Sequence, residues 1–236
     1  MEEKNISALI KAKEEFKEGD PFLMADCSGA VFEEIEEGRG IFKLRYLNQD
    51  YIIKFPEGEF AFADDFKEDK FQLEKNGCGR PVNKETNIED EEDHTGDTIL
   101  ISDQVLMLYY LRNASGLPPK GRWINFLELP QGGHHHSCFI EDAITPLVKK
   151  LAGKKENFFK GVEALGGEKG EMGDYGAIIP VFPKLNQAFI IWEADDEFSA
   201  NGNILFDAII STYLDTASIY VMGINATLRL INRALL

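Results

Sequence analysis

Residues 41–55 alternate between apolar and polar positions. Phe42, Leu44 and Tyr46 fall on one face, and Lys43 and Arg45 on the other. After Leu47-Asn48-Gln49-Asp50 the alternation resumes with Tyr51, Ile53 and Phe55, and Pro56 closes it. The pattern predicts a β-hairpin with a short polar turn. A second strand pair is predicted at 177–185 and 187–194. Pro180 and Pro183 in its first strand predict an edge position. The unbroken run Phe189-Ile190-Ile191-Trp192 predicts a strand covered on both faces. Residues 121–126 read as a short strand or extended passage.

Helical spacing is found elsewhere. Ile6, Leu9, Ile10 and Phe16 give a helix over 5–17, ended by Asp20-Pro21. Ser102 is the expected N-cap of a helix carrying Val105, Leu108, Tyr109 and Leu111, which Gly116 and Pro118-Pro119 stop. Further helices are predicted at 140–152, 156–165, 203–214 and 216–235. In the last, Tyr220, Ile224, Leu228, Ile231 and Leu235 form the expected core stripe, with Asn225, Arg229 and Asn232 on the opposite side. The expected fold is α+β: one domain over 1–236, two strand pairs joined in a mixed or antiparallel sheet, covering helices and a C-terminal helix pair.

Between Glu57 and Asp97 no period is visible. Residues 85–97 hold seven carboxylates and no lysine or arginine, so a mobile acidic loop is expected at 84–97. The whole chain is acidic too. Its 236 residues carry 25 basic and 41 acidic side chains, a net charge of −16. Nucleic acid and anionic membrane surfaces would be repelled by that sum. The start is acidic, without the apolar run of a secretory signal. The apolar stretch from Thr216 is interrupted by Asn225, Arg229, Asn232 and Arg233, far short of the ~20 residues of a span. The expected location is therefore cytoplasmic. Cys27, Cys78 and Cys138 are too few and too far apart for a disulfide framework or a repeated ligand motif.

Two clusters draw attention as ligand or metal sites. Asp195, Asp196 and Glu197 follow the apolar strand, with Asp207 and Asp215 close in sequence. They suit a hard cation or an acid–base pair. They equally suit helix caps and dipole partners, with Asp207 in the first turn of the next helix. His134, His135 and His136 precede Cys138. Imidazole and thiolate suit zinc or a transition metal. In an extended segment His134 and His136 would point the same way, leaving a third ligand to come from His94 or an acid. Gly132-Gly133 would permit close approach of a ligand. An exposed polar loop entering a helix is the plainer reading. Lys149, Lys150, Lys154 and Lys155, with Lys160, form a basic group that reads as an anion or partner patch, or as a solvated helix face. Cys27 and Cys78 sit in turns without a neighbouring base. Gly166-Gly167-Glu168-Lys169-Gly170 follows a helix instead of opening one and does not match a phosphate loop.

Two stretches carry a resemblance. One runs Leu108-Tyr109-Tyr110-Leu111-Arg112-Asn113-Ala114-Ser115-Gly116, then from Gly121-Arg122-Trp123-Ile124-Asn125-Phe126 to Gln131-Gly132-Gly133. The other joins Ile179-Pro180-Val181-Phe182-Pro183 to Trp192-Glu193-Ala194-Asp195-Asp196-Glu197-Phe198 and Ile204-Leu205-Phe206-Asp207. Together they resemble the family called Domain of Unknown Function 3786, over roughly residues 5–235. The resemblance implies a protein of anaerobic bacteria or archaea and brings no catalytic residues to carry over. Some relatives carry a four-cysteine iron–sulfur segment. This chain lacks it, so no iron–sulfur cluster is expected from this chain alone. The expected function is a non-catalytic accessory protein, or one that binds a small molecule such as a metal, a corrinoid or another cofactor. One alternative is a metal-dependent hydrolase or lyase using Asp195, Asp196 and Glu197 with a histidine of the 134–136 loop. The other is a protein–protein interaction module, for instance a homodimer.

Overall fold

A computed structural model describes residues 2–65 and 98–236, without the side chains of 2–4. The acidic stretch expected to be a mobile loop at 84–97 lies outside the described residues, as do His94 and Cys78.

The chain opens with α1 (Glu2–Lys17) and α2 (Pro21–Ser28). Asp20-Pro21 ends the first helix, and it also starts the second. The Asp20 carboxylate accepts from the N–H groups of Phe22 and Leu23, and Pro21 fills the first position, where its missing N–H costs nothing. Strands β1 (Val31–Glu36), β2 (Arg39–Tyr46), β3 (Gln49–Phe55) and β4 (Phe60–Phe62) follow as an antiparallel meander in sequence order. The predicted hairpin is its centre. Its turn is only Leu47-Asn48, both with positive φ, the two-residue geometry that matches strand twist. Gln49 and Asp50 belong to β3, and Asp50 pairs with Arg45 across the strands at 2.9 Å.

After α3 (Ile101–Asn113), whose N-cap is Leu100 and not Ser102, comes β5 (Trp123–Asn125). Then a 3₁₀ turn over Phe126–Glu128 and another over Gly132–His134 lead into one unbroken helical run. The run consists of α4 (His136–Phe139), a π-helical turn (Ile140–Ile144) and α5 (Thr145–Leu151). Pro146 has no N–H for the regular ladder, and the wider turn lies immediately before α5, where that donor is missing. α6 (Lys155–Ala164) and the strands β6 (Glu168–Gly170), β7 (Tyr175–Phe182), β8 (Leu185–Trp192) and β9 (Asn201–Asp207) follow, and α7 (Thr216–Leu235) closes the chain.

The second sheet is antiparallel in the order β5-β9-β8-β7-β6. The fold is α+β, but the two predicted strand pairs lie in different sheets. Residues 201–207 are a strand where a helix over 203–214 was expected, so a single long helix, not a pair, ends the chain. Gly202, Ile204 and Phe206 are buried alternately, a period of two that the contiguous run Ile204-Leu205-Phe206 obscures. β8 is central and buried on both faces, as its apolar run predicts. β7 is not an edge strand. Pro180 is accommodated because β6 pairs only with residues 176–178, and the register shifts just beyond it, between Pro180 and Phe182.

The core stripe of α7 is rotated from the expected one. Ile219, Met222, Ala226, Leu230 and Ala234 are its fully buried apolar positions, with Thr227 buried beside them, while Leu235 is exposed. Gly161 of α6 lets this helix come close. A Cβ there would sit 2.7 Å from the Leu230 carbonyl oxygen and 2.9 Å from Ala234 Cβ.

The two sheets meet where the β2–β3 turn reaches β7: the Leu47 N–H donates to the Val181 carbonyl at 3.0 Å. Beside that bond Tyr46, Phe182, Tyr110 and Tyr213 stack in succession, Phe182 lying 4.8 Å from Tyr46 and 4.0 Å from Tyr110 between ring centroids. One continuous apolar core draws on both sheets and on α1, α3, α6 and α7.

Candidate functional site

The interior holds an unexpected polar network. Asp103 of α3 is fully buried. Its carboxylate accepts from Tyr46 Oη at 2.9 Å and Asn225 Nδ2 at 2.8 Å, and it is ion-paired with Arg229. Arg229 Nη1 also donates to Tyr51 Oη at 3.2 Å, and its guanidinium lies over the Tyr46 ring. Asn225 and Arg229, expected on the outer side of α7, therefore face the core. Burial opposes the Arg229 charge, and Asp103, with the hydroxyls of Tyr46 and Tyr51, more than compensates and holds its pKa above the ordinary value. Burial raises the Tyr46 phenol far above its usual range, and the Asp103 charge adds to the shift. Each member is occupied by another, so the network ties β2, β3, α3 and α7 together and leaves no group aimed at a ligand.

The carboxylate cluster lies in the β8–β9 connection and is exposed. Asp195 organises its own loop. Its Oδ1 accepts from the N–H groups of Glu197 at 2.9 Å and Phe198 at 2.7 Å, and its N–H donates to the Phe198 carbonyl at 3.0 Å. Those backbone donors, Phe198 first and then Glu197, lower the Asp195 pKa. No helix follows for Asp195, Asp196 and Glu197 to cap. Asp207, at the end of β9, holds the 120–121 turn by accepting from Lys120 and Gly121, and Asp215 caps α7 through Ser218.

The histidines are helical, not extended. Gly132–His134 is a 3₁₀ turn and His136 opens α4, so His134 and His136 lie on different sides of a helical path instead of sharing one. His134 is exposed. His136 is half-buried, with Nδ1 lacking a hydrogen-bond partner. The close approach at Gly132 is to the chain itself, since a Cβ there would run into the Phe126 carbonyl.

The residue that meets other chemistry is His135. Its ring lies 6.4 Å from that of Tyr220, which packs on Phe126 and Phe139. Tyr220 Oη donates to Asp142 of the π-helical turn. Burial raises the Tyr220 phenol, followed by its bond to Asp142 and the charge of that carboxylate. Exposed Leu127 lies against Gly133 in the turn that leads to His135, and Cys138 and Asp142 stand four positions apart, on one side of the helical run. Among the described residues, no three His, Cys, Asp or Glu side chains gather as a metal-holding group.

The two predicted clusters do not share a site. Both Glu193 carboxylate oxygens accept from the Gly153 N–H, at 3.0 and 2.9 Å, just past the end of the α4–α5 run. The histidines stand at its start. A run from His136 to Leu151 is on the order of 20 Å long at about 1.5 Å per residue. The basic group, by contrast, lies beside the acidic loop: Lys149 and Lys150 end α5, and Lys154 and Lys155 start α6 around that same Gly153.

Tyr220 and Asp142 were not predicted as partners. Tyr220 was read as one apolar position of a stripe, and a π-helical turn has no simple residue period. Among the described residues no helix is long and apolar enough to cross a membrane. Comparison with curated proteins and with solved structures gave no match. Comparison with protein families gave one: residues 81–228 match the family described as Domain of unknown function (DUF3786). The match takes in the α3–β5 segment, the histidine turn and the β7–β9 strands that carry the quoted motifs. It is narrower than the 5–235 expected and leaves out the whole of the first sheet. With more than half of its length matched, the chain belongs to the Domain of Unknown Function 3786 family.

Proposed function

We propose that the protein is a non-catalytic accessory or ligand-binding protein whose binding face is the surface formed by His135, Cys138, Asp142 and Tyr220. The observation that carries this reading is the Tyr220–Asp142 pair on a π-helical turn. It sets a few polar anchors, with an imidazole and a thiol beside them, against the rings of Phe126 and Phe139 and near the exposed Leu127. That mixture is the usual make-up of a small-molecule site, and π-helical turns recur at functional sites. The ligand class is a cofactor that takes a hydrogen bond from His135 or gives one to the Tyr220 oxygen, or a transition metal that brings part of its own coordination shell, as a corrinoid does.

The test is a thermal-shift titration of untagged protein, purified without oxygen, chelator or a nickel column, using Zn²⁺, Co²⁺ and hydroxocobalamin. Elemental analysis of the same preparation accompanies it. A true ligand at about a hundredfold its Kd adds about 2.7 kcal/mol. For a chain of this size that raises Tm by about 5–10 °C, and His135→Ala or Tyr220→Phe should remove the shift. No shift with any probe and no bound element would refute the reading.

A further inference from the structure

The β8–β9 connection and the α5–α6 turn form one surface with opposite charges side by side. Asp195 braces the connection through its bonds to Glu197 and Phe198, so the tip is a built turn. The connection carries two exposed aromatic side chains, Trp192 at its start, 40% exposed, and Phe198, 70% exposed, with Asp196 and Glu197 between them in sequence. Glu193 fastens the base of the connection to Gly153. The Glu193 N–H donates to Asp174 Oδ2 at 2.7 Å, and Lys155 Nζ donates to the Asp174 carbonyl at 3.2 Å. These bonds hold the acidic tip and the lysine turn at the same end of the second sheet. Yet no ion pair within the chain joins Asp196 or Glu197 to Lys149, Lys150 or Lys154; the ion pairs of the described residues lie elsewhere.

A surface that carries an acidic element, a basic element and two exposed aromatic rings is complementary to itself. A two-fold axis between the rings brings each tip to the other copy's lysine turn, the reciprocal arrangement of an isologous interface. We propose that the chain forms a homodimer in which Asp196 and Glu197 of each copy meet Lys149 and Lys150 of the other, around a centre of Phe198 and Trp192. Aromatic centres with charged rims are the usual anatomy of such contacts. The charge of −16 on each chain opposes any association. At physiological salt that repulsion is screened beyond about 8 Å, while close pairs are screened less, so the local arrangement decides. The proposal stands independently of the His135 face, which lies at the other end of the α4–α5 run.

The experiment is sedimentation velocity at physiological salt over a concentration series, with circular dichroism as a check on folding. The wild-type chain should dimerise. D196K/E197K and K149E/K150E should each be monomers, because each presents like charges to its own copy. An equimolar mixture of the two should dimerise again, since every contact in the mixed pair is once more of opposite sign. Phe198→Ser, which changes no charge, should weaken dimerisation on the order of tenfold or more. A wild-type chain that stays monomeric at every concentration overturns the proposal. So does a dimer indifferent to Phe198→Ser, or a mixture of folded charge variants that stays monomeric.

Discussion

Gln187 and Asp103 are both fully buried polar side chains, and the protein treats them differently. Asp103 is engaged by Tyr46, Asn225 and Arg229. Removing any one of these would expose the others to the cost of an unpaired buried group. Gln187, on the central strand β8 between Ile179 and Phe206, has neither amide atom hydrogen-bonded. Its cross-strand neighbours are apolar, so the amide gains nothing for its desolvation. Gln187→Met should therefore raise stability by about 1–2 kcal/mol, an increase of about 2–4 °C in Tm for each kcal/mol, measured by thermal or urea unfolding. A loss of stability instead would show that the amide is compensated in place, contradicting its reading as an unpaired buried group. Neither role was legible from sequence. A lone Gln within an apolar run, and an Asp one residue after a supposed cap, carry no sign of which face they will turn to.

At the scale of elements, α6 and α7 cross where Gly161 brings their backbones together. Helix propensity alone says that Gly161→Ala should gain roughly 0.8–1 kcal/mol. The added methyl would meet the Leu230 carbonyl at 2.7 Å, and overpacking of that kind costs about 1–3 kcal/mol. The substitution should therefore lower stability in urea unfolding, and a gain would show that the helices separate easily. Elements with a single strong period were legible in advance: the β2–β3 hairpin, the β7–β8 pair, α1 and α7. Elements defined by what packs on them were not. β9 was read as helix because Ile204, Leu205 and Phe206 are contiguous. The 132–136 segment reads as a polar loop entering a helix, and its 3₁₀ turn is not visible because glycines and histidines have no apolar period. The face of α7 was misjudged because small residues, Gly223, Ala226 and Ala234, face the core in place of large ones. Of the proposed site, the histidine loop stands out in the sequence by composition, whereas Tyr220, 85 residues from His135, is joined to it only by the fold.

Across the whole molecule, all seven tyrosines have phenols raised above their ordinary pKa, and burial is the first cause in each. The sign of the consequence follows from linkage. An unfolded phenol loses its proton near pH 10, whereas the folded ones hold theirs to higher pH. Their contribution is fully present below about pH 10 and is lost as pH rises through the folded values. Phenolate absorbance should thus appear together with loss of near-ultraviolet circular dichroism, in one cooperative alkaline transition. Several tyrosines ionising near pH 10 in a chain that remains folded would contradict this.

The Asp103–Arg229 pair has a further consequence, for the order in which the molecule is made. The two residues stand 126 positions apart. During synthesis at about 5–20 residues per second, Asp103 waits roughly 6–25 s for its counter-charge. Throughout that interval the first sheet and α3 exist as a nascent chain whose central carboxylate is better left in water than enclosed. The interior can close only from the C-terminal side, when α7 arrives with Asn225 and Arg229 on its inward face.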